Sequence, residues 1–466
     1  MKRILVIFLL MQSMLLWSGC GGNELPPILP PDDDKEQPED KDDEEDEKEI
    51  YFPQNAWNVN ENNDYQDKNS QFNIYRMKKT QNVVAFWESE FGNDPSKDAV
   101  EQYRFPLGEL MLESDKIFKF YRDQLKFVEK GKSLTDKYRM NIYIYHNDEG
   151  TAYGGGIDNK IGALWISPVR IKEAPFAAVA HELGHSFQAM VAADGNWGFG
   201  TTPAGSNGQA IWEMTSQYML WQFYPEWITF ENYHLQTFMV NTHKAFMHED
   251  NRYSSPFVLE YWSDKHGIDF IGKLWREAKA GEDPVMAYKR ITGIDQKTFN
   301  DELFDAYRKF ITWDMERVRI VSQKYVNQHT TQLISEAGGK YRIAESKCPQ
   351  NYGYNAIKLD VPIAGTEVKL QFKGLSDVKG YRILKAEKAG WRYGFLAVKS
   401  NGERVYGDVY SAMEGEAKFT VPEKTTYLWL VVSGAPTEHW EHIWDEKTEN
   451  DEQWPYEIKL EGTTLN

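Results

Sequence analysis

The segment AAVAHELGHSFQAM, Ala177 to Met190, sets two histidines and a glutamate among small and apolar residues. In a helix, residues i and i+4 share a face. His181 and His185 can therefore aim ring nitrogens at one ion, with Glu182 in reach of a water on it. His-Glu-x-x-His is an arrangement of two metal ligands and a general base. Zinc lowers the pKa of its water to roughly 7, and the glutamate takes the proton so that hydroxide attacks a polarised carbonyl. The plainer reading is a helix with two buried, hydrogen-bonded histidines. Two imidazoles and a carboxylate buried among alanines need a charge partner, however, and Zn2+ is the expected one.

Catalytic zinc takes three protein ligands. One family of zinc peptidases has its third histidine six residues after the second. Here Val191 stands at that position, and Gln188 stands where that family has glycine, so it is excluded. Glu213, in GQAIWEMTSQYMLWQF, is the expected third ligand. It lies between Trp212 and Met214 on a helix with few other charges, where an acid is buried only when paired. The competing reading has its carboxylate bonding nearby backbone. Glu226 and Glu231 lie beyond the break at Pro225 and are weaker candidates. A tetrahedral oxyanion needs a donor besides the metal. Tyr253 is the candidate, with His234, His243, His248 and Tyr261 competing.

HELGH followed by a helical glutamate resembles the gluzincin class of zinc metallopeptidases. The likeness spans about residues 138–324 and implies a zincin-like domain that hydrolyses peptide bonds. In many gluzincins the ligand glutamate is followed by serine at the third position and aspartate at the fourth. Ser216 matches, whereas Gln217 replaces the aspartate that orients the first zinc histidine. An amide still accepts from an imidazole N–H, but without charge. RYSSPFVLEYWSDKHGIDFIGKLW resembles the helical half of such domains, where a tyrosine often polarises the substrate. The whole chain also resembles an uncharacterised family of Gram-negative bacterial surface lipoproteins carrying HELGH. That likeness implies no particular substrate.

Elements must position these residues. MNIYIYH alternates and predicts a strand. AYGGGIDNKIGALWISP predicts a glycine loop and then a strand, with ALWIS as a sheet edge that an extended peptide can join. Pro175 suits a helix's first turn, and that helix runs to about Gly195. An earlier helix covers FPLGELMLESDKIFKFYRDQLKFVEKG and ends at Gly131, and further helices reach about Lys324. After Tyr325 the pattern alternates, and Asn401-Gly402 signals a hairpin. The predicted fold class is α+β. Residues 51–324 form a zincin-like domain (small mixed sheet, active-site helix, helical subdomain), and residues 325–466 an antiparallel β-sandwich. The sandwich is read as a scaffold with Trp440, Trp444 and Trp454 buried at its contact; the alternative is a glycan-binding module.

The ends and composition set the compartment. The chain has 466 residues, a formal charge of −18 and 41% hydrophobic content. The negative charge argues against nucleic acid as a partner. Lys2 and Arg3 precede an apolar run that ends in Ser18-Gly19-Cys20, which predicts a signal peptide over 1–19. The SGC ending resembles a lipobox, with lipidation at Cys20 and Trp17 departing from the pattern. Residues 20–50 read as an acidic disordered tether; between Asp32 and Glu49, 13 acidic and 3 basic residues give −10. The expected location is the outer membrane, exposed at the cell surface and held by lipid alone. Cys348 is then left without a partner.

Overall fold

The computed structural model describes residues 47–200 and 209–466. The expected signal segment, the expected lipidation site Cys20 and the expected tether up to Asp46 lie outside the described residues. The fold starts earlier than residue 51. Glu49 bridges to Tyr138, and buried Lys48 donates to Asn82 Oδ1 at 2.5 Å. A charged residue docks here because a strand end offers it a polar partner. Among the described residues, no helix is long and apolar enough to cross a membrane.

Three sheets and nine helices make up the described α+β fold. The first sheet contains β1 (Met77–Lys79), β2 (Val83–Trp87), β3 (Met140–Ile144), β4 (Ala152–Ile157) and β5 (Ile161–Ile166), in the order β1-β2-β3-β5-β4. Strands β2, β3 and β5 run parallel, while β1 and β4 pair antiparallel at the edges. Helix α1 (Leu107–Asp123) lies between β2 and β3 in sequence, and α2 (Ala177–Ala193) follows β5. Both helices pack on one face of the sheet. Along β2, Val83, Ala85 and Trp87 enter the helical core, while Val84 and Phe86 face the cluster capped by Tyr65 and Phe72. This is period-two alternation with both faces buried.

The helical half comprises α3 (Gln209–Phe223), α4 (Trp227–Phe230), α5 (Asn232–Val240), α6 (Phe257–His266), α7 (Phe270–Glu277), α8 (Pro284–Thr292) and α9 (Gln296–Phe310). Two expected helices are shorter than their patterns. Helix α1 stops at Asp123, and Lys126 at φ 49° turns the chain so that Leu125, Phe127 and Val128 enter the core as a loop. Helix α9 stops at Phe310, before Trp313 at φ 49°.

The C-terminal part forms two antiparallel sheets. One holds β8 (Tyr354–Leu359), β10 (Trp391–Lys399), β11 (Arg404–Tyr406) and β13 (Thr425–Gly434), in the order β11-β10-β13-β8. The other holds β6 (Leu333–Glu336), β7 (Lys340–Ile343), β9 (Glu367–Gly374), β12 (Glu414–Thr420) and β14 (Tyr456–Glu461), in the order β12-β9-β14-β7-β6. The Asn401-Gly402 hairpin joins β10 to β11, with Gly402 at φ 82°. Leu428, Leu430 and Val432 of β13 fill the space between these sheets, whereas Trp429 and Val431 face the helices and join their core. The four-stranded sheet is thus buried on both sides. The sandwich and the helical half belong to one compact unit, Glu47–Asn466.

Candidate metal centre

Helix α2 turns Val179, Leu183, Phe187, Met190 and Val191 into the core. The adjoining stripe carries His181, Glu182 and His185 into a cleft of about 730 Å³. Two close approaches fix the helix. A β-carbon on Gly184 would stand 2.4 Å from Ser216 Oγ and 3.2 Å from Ser216 Cα, so α2 and α3 nearly touch there. A β-carbon on Gly154 of β4 would stand 2.1 Å from the carbonyl oxygen of Glu182. The glycines of AYGGGI, expected as a loop, instead form a strand that lies against the helix without side chains in between.

His181, His185 and Glu213 converge. His181 Nε2 is 3.2 Å and His185 Nε2 3.1 Å from Glu213 Oε2, and the two Nε2 atoms are 3.1 Å apart. A tetrahedral zinc with bonds of about 2.0–2.1 Å has ligand–ligand edges of about 3.3–3.4 Å. The rings are held from behind: His181 Nδ1 lies 3.2 Å from Gln217 Oε1, and His185 Nδ1 lies 2.9 Å from Gln188 Oε1. With neutral rings each amide oxygen takes an Nδ1–H and both Nε2 lone pairs turn toward the carboxylate; without metal, the extra proton on His185 lies between its Nε2 and Glu213. Two lone pairs and a carboxylate at this spacing need a positive charge among them, and the three donors fit a zinc ion. Ser216 adds a hydrogen bond to the carbonyl of His181.

Electrostatics agree. Burial works against the charge on His185 but is outweighed by Glu213, and its pKa is pushed up to about 9 without metal. Burial also opposes the Glu213 charge, yet His185 and His181 hold that carboxyl well below its ordinary range. Glu182 is 7% exposed. Burial raises its pKa, countered in part by the two histidines.

Tyr253 borders the cleft, with its ring 6.1 Å from that of His181. Burial and Glu213 push its phenol well upward, so it stays protonated as a donor. Of its expected competitors, His234 lines the cleft, while His243, His248 and Tyr261 do not. Tyr153 and Tyr233 also line it, and sequence reasoning passed over both. Glu231 reaches the cleft, but its Oε2 is taken by Trp227 Nε1 at 2.6 Å. Gln188, to which the sequence assigned no role of its own, holds His185 and also donates to Trp212 O at 2.9 Å.

The ALWIS strand is not an edge. β5 pairs with β3 on one side and β4 on the other, which overturns that expectation. The edge strand on this side is β4, which borders the cleft through Tyr153, Gly154, Gly155 and Gly156. The C-terminal tryptophans differ among themselves. Trp454 is fully buried, Trp440 is half-buried against it, and half-buried Trp444 borders the cleft beneath Arg252.

No curated protein matches the chain. Among solved structures it is similar to the Yersinia pseudotuberculosis-derived mitogen, at 9% identity, covering 29% of this chain and 88% of that one, TM-score 0.18. It is also similar to the C-terminal family 22 carbohydrate binding module of Clostridium thermocellum Xyn10B, at 10% identity, 29% and 80% coverage, TM-score 0.18. A glycosylation associate protein complex from Streptococcus agalactiae matches at 11% identity, 28% and 38% coverage, TM-score 0.16. At these scores the likenesses carry no argument. A sequence family matches residues 42–466, nearly the whole chain, and the protein therefore belongs to the Family of unknown function (DUF6055).

Proposed function

We propose that this protein is a zinc-dependent endopeptidase of gluzincin type, with a zincin-like catalytic half, anchored through Cys20 at the outer membrane and facing the cell exterior. One observation carries the reading: three ligand atoms converge 3.1–3.2 Å apart in the wall of a cleft that also holds buried Glu182. Zinc bound there supplies Lewis acidity to a water and to the scissile carbonyl. The chain's own residues do the rest. Glu182, whose carboxyl burial makes more basic, accepts the proton of the attacking water and passes it to the leaving amine. Gln217 and Gln188 fix the two imidazoles with Nε2 forward. Tyr253 donates toward the developing oxyanion. The edge strand β4 offers unpaired backbone groups to an extended peptide, and Gly154 keeps that strand against Glu182.

A second reading rests on Gln217, a neutral residue behind His181 where many gluzincins carry a charge. It makes the protein a glycan- or protein-binding lipoprotein with a structural or degenerate zinc site. One experiment separates the two. Zinc-loaded protein is incubated with denatured protein substrate and the products are read by mass spectrometry. Endopeptidase action gives internal cleavages that vanish in Glu182→Gln while zinc stays bound. Zinc-loaded wild type that cuts nothing, or Glu182→Gln that cuts normally, removes the enzyme reading.

A further inference from the structure

We propose that His248, His442 and Asp451 form a second site for a divalent transition metal of the zinc type, distinct from the HELGH cluster. This site fastens the segment 436–455 to the helical half. Ligand-capable atoms of the three side chains lie within 4.8 Å of one another. His248 Nε2 is 3.2 Å from Asp451 Oδ2, an edge of the same length as those at the first centre. His248 is 3% and Asp451 8% exposed. Buried Glu249 stands behind the cluster, its Oε2 2.8 Å from His442 Nε2 and 3.5 Å from His248 Nδ1. It serves as the outer carboxylate that orients a metal-bound imidazole.

The two carboxylates, Glu249 and Asp451, and the His248 ring are buried, with half-buried His442 beside them, and the carboxylates need compensating positive charge. One divalent ion supplies it, and mixed nitrogen and oxygen donors select a zinc-like ion over calcium or magnesium. In the metal-free protein His248 Nδ1 accepts from Asp250 N at 3.1 Å, which leaves the ring proton on Nε2 facing Asp451. Metal binding at Nε2 moves that ring proton to Nδ1, which gives up the bond from Asp250 N, left to water, and turns its own N–H toward Glu249 Oε2, 3.5 Å away.

The site joins parts of the chain some two hundred residues apart. His248 and Glu249 follow α5, whereas His442 and Asp451 lie just before β14. The same segment carries Trp444, which borders the first cleft and stacks on Arg252. The second metal therefore holds one wall of that cleft in position.

The test uses the full chain, stripped with chelator, reloaded with Zn2+ and read by elemental analysis. Wild type should hold two zinc ions per chain. His181→Ala/His185→Ala should hold one, and should show a cobalt absorption spectrum on titration with Co2+. His248→Ala/His442→Ala should also hold one, with the peptidase site still loaded. If His181→Ala/His185→Ala binds neither ion, the second site does not exist and the cluster is a set of hydrogen-bonded ion pairs. Zinc in His181→Ala/His185→Ala but one ion in wild type places the failure at the first centre and leaves this inference standing.

Discussion

Gly184 and Ser216 stand so close that a β-carbon on the glycine would lie 2.4 Å from the serine hydroxyl oxygen. The same hydroxyl bonds the carbonyl of His181, so the crossing of α2 and α3 sets the distance from the histidines to Glu213. Gly184→Val should force the helices apart. The expected loss is ~1–3 kcal/mol in urea unfolding, together with weaker zinc binding. Unchanged stability and unchanged zinc affinity would show that the close approach has no such role.

Glu213 and Glu231 both reach the cleft, but only Glu213 meets the two histidines. Glu213→Ala should lower zinc affinity at this centre by about tenfold or more, as loss of a ligand does. Glu231→Ala should leave it unchanged, because that carboxylate is engaged by Trp227. Competition titration against a fluorescent chelator measures both, and the reverse ranking would overturn the ligand assignment.

Gln217 carries three contacts: His181 Nδ1, His234 Nε2 at 3.0 Å and the carbonyl of Tyr253 at 3.2 Å. Gln217→Ala frees the His181 ring and the segment bearing Tyr253. Zinc affinity should fall about tenfold, in line with outer partners of metal-bound histidines. Any peptidase activity should fall further than zinc occupancy does. If activity tracks occupancy alone, Tyr253 plays no part in the reaction.

His329 is buried among Trp313, Tyr354 and Trp429, with Nε2 2.7 Å from the Tyr354 hydroxyl. Burial pushes its pKa down to about 3. The unfolded chain takes up this proton below pH 6.5 and the folded chain resists it. Its contribution is therefore complete above pH 6.5 and is lost as the pH falls toward 3, by up to ~1.4 kcal/mol per pH unit. His243, also pushed down to about 3 by burial and by Lys347 and Lys244, acts in the same window. Urea unfolding at pH 7 and pH 5 should show a smaller acid loss in His329→Gln than in wild type. Equal losses would assign the acid sensitivity elsewhere.

The histidine-bearing helix was legible because its chemistry is local. His181 and His185 are one helical turn apart, and any helix at that position brings them to one face. Glu213 was legible by elimination, as a lone acid on an apolar helix. The α+β class followed from periodicity, and the Asn401-Gly402 hairpin from turn chemistry. What only the tertiary structure decided were matters of adjacency. Strand order makes β4, not β5, the edge beside the cleft, and no pattern within ALWIS carries that information. The glycines of AYGGGI read as a loop because the helix that demands them lies far along the chain at Glu182. Lys126 and Trp313 end their helices through positive φ, held by long-range packing that overrides local periodicity. His248 and His442 look unrelated in sequence, about two hundred residues apart. Chain folding alone brings them together, because burial is a property of the whole core and helical spacing is a property of a few neighbouring residues.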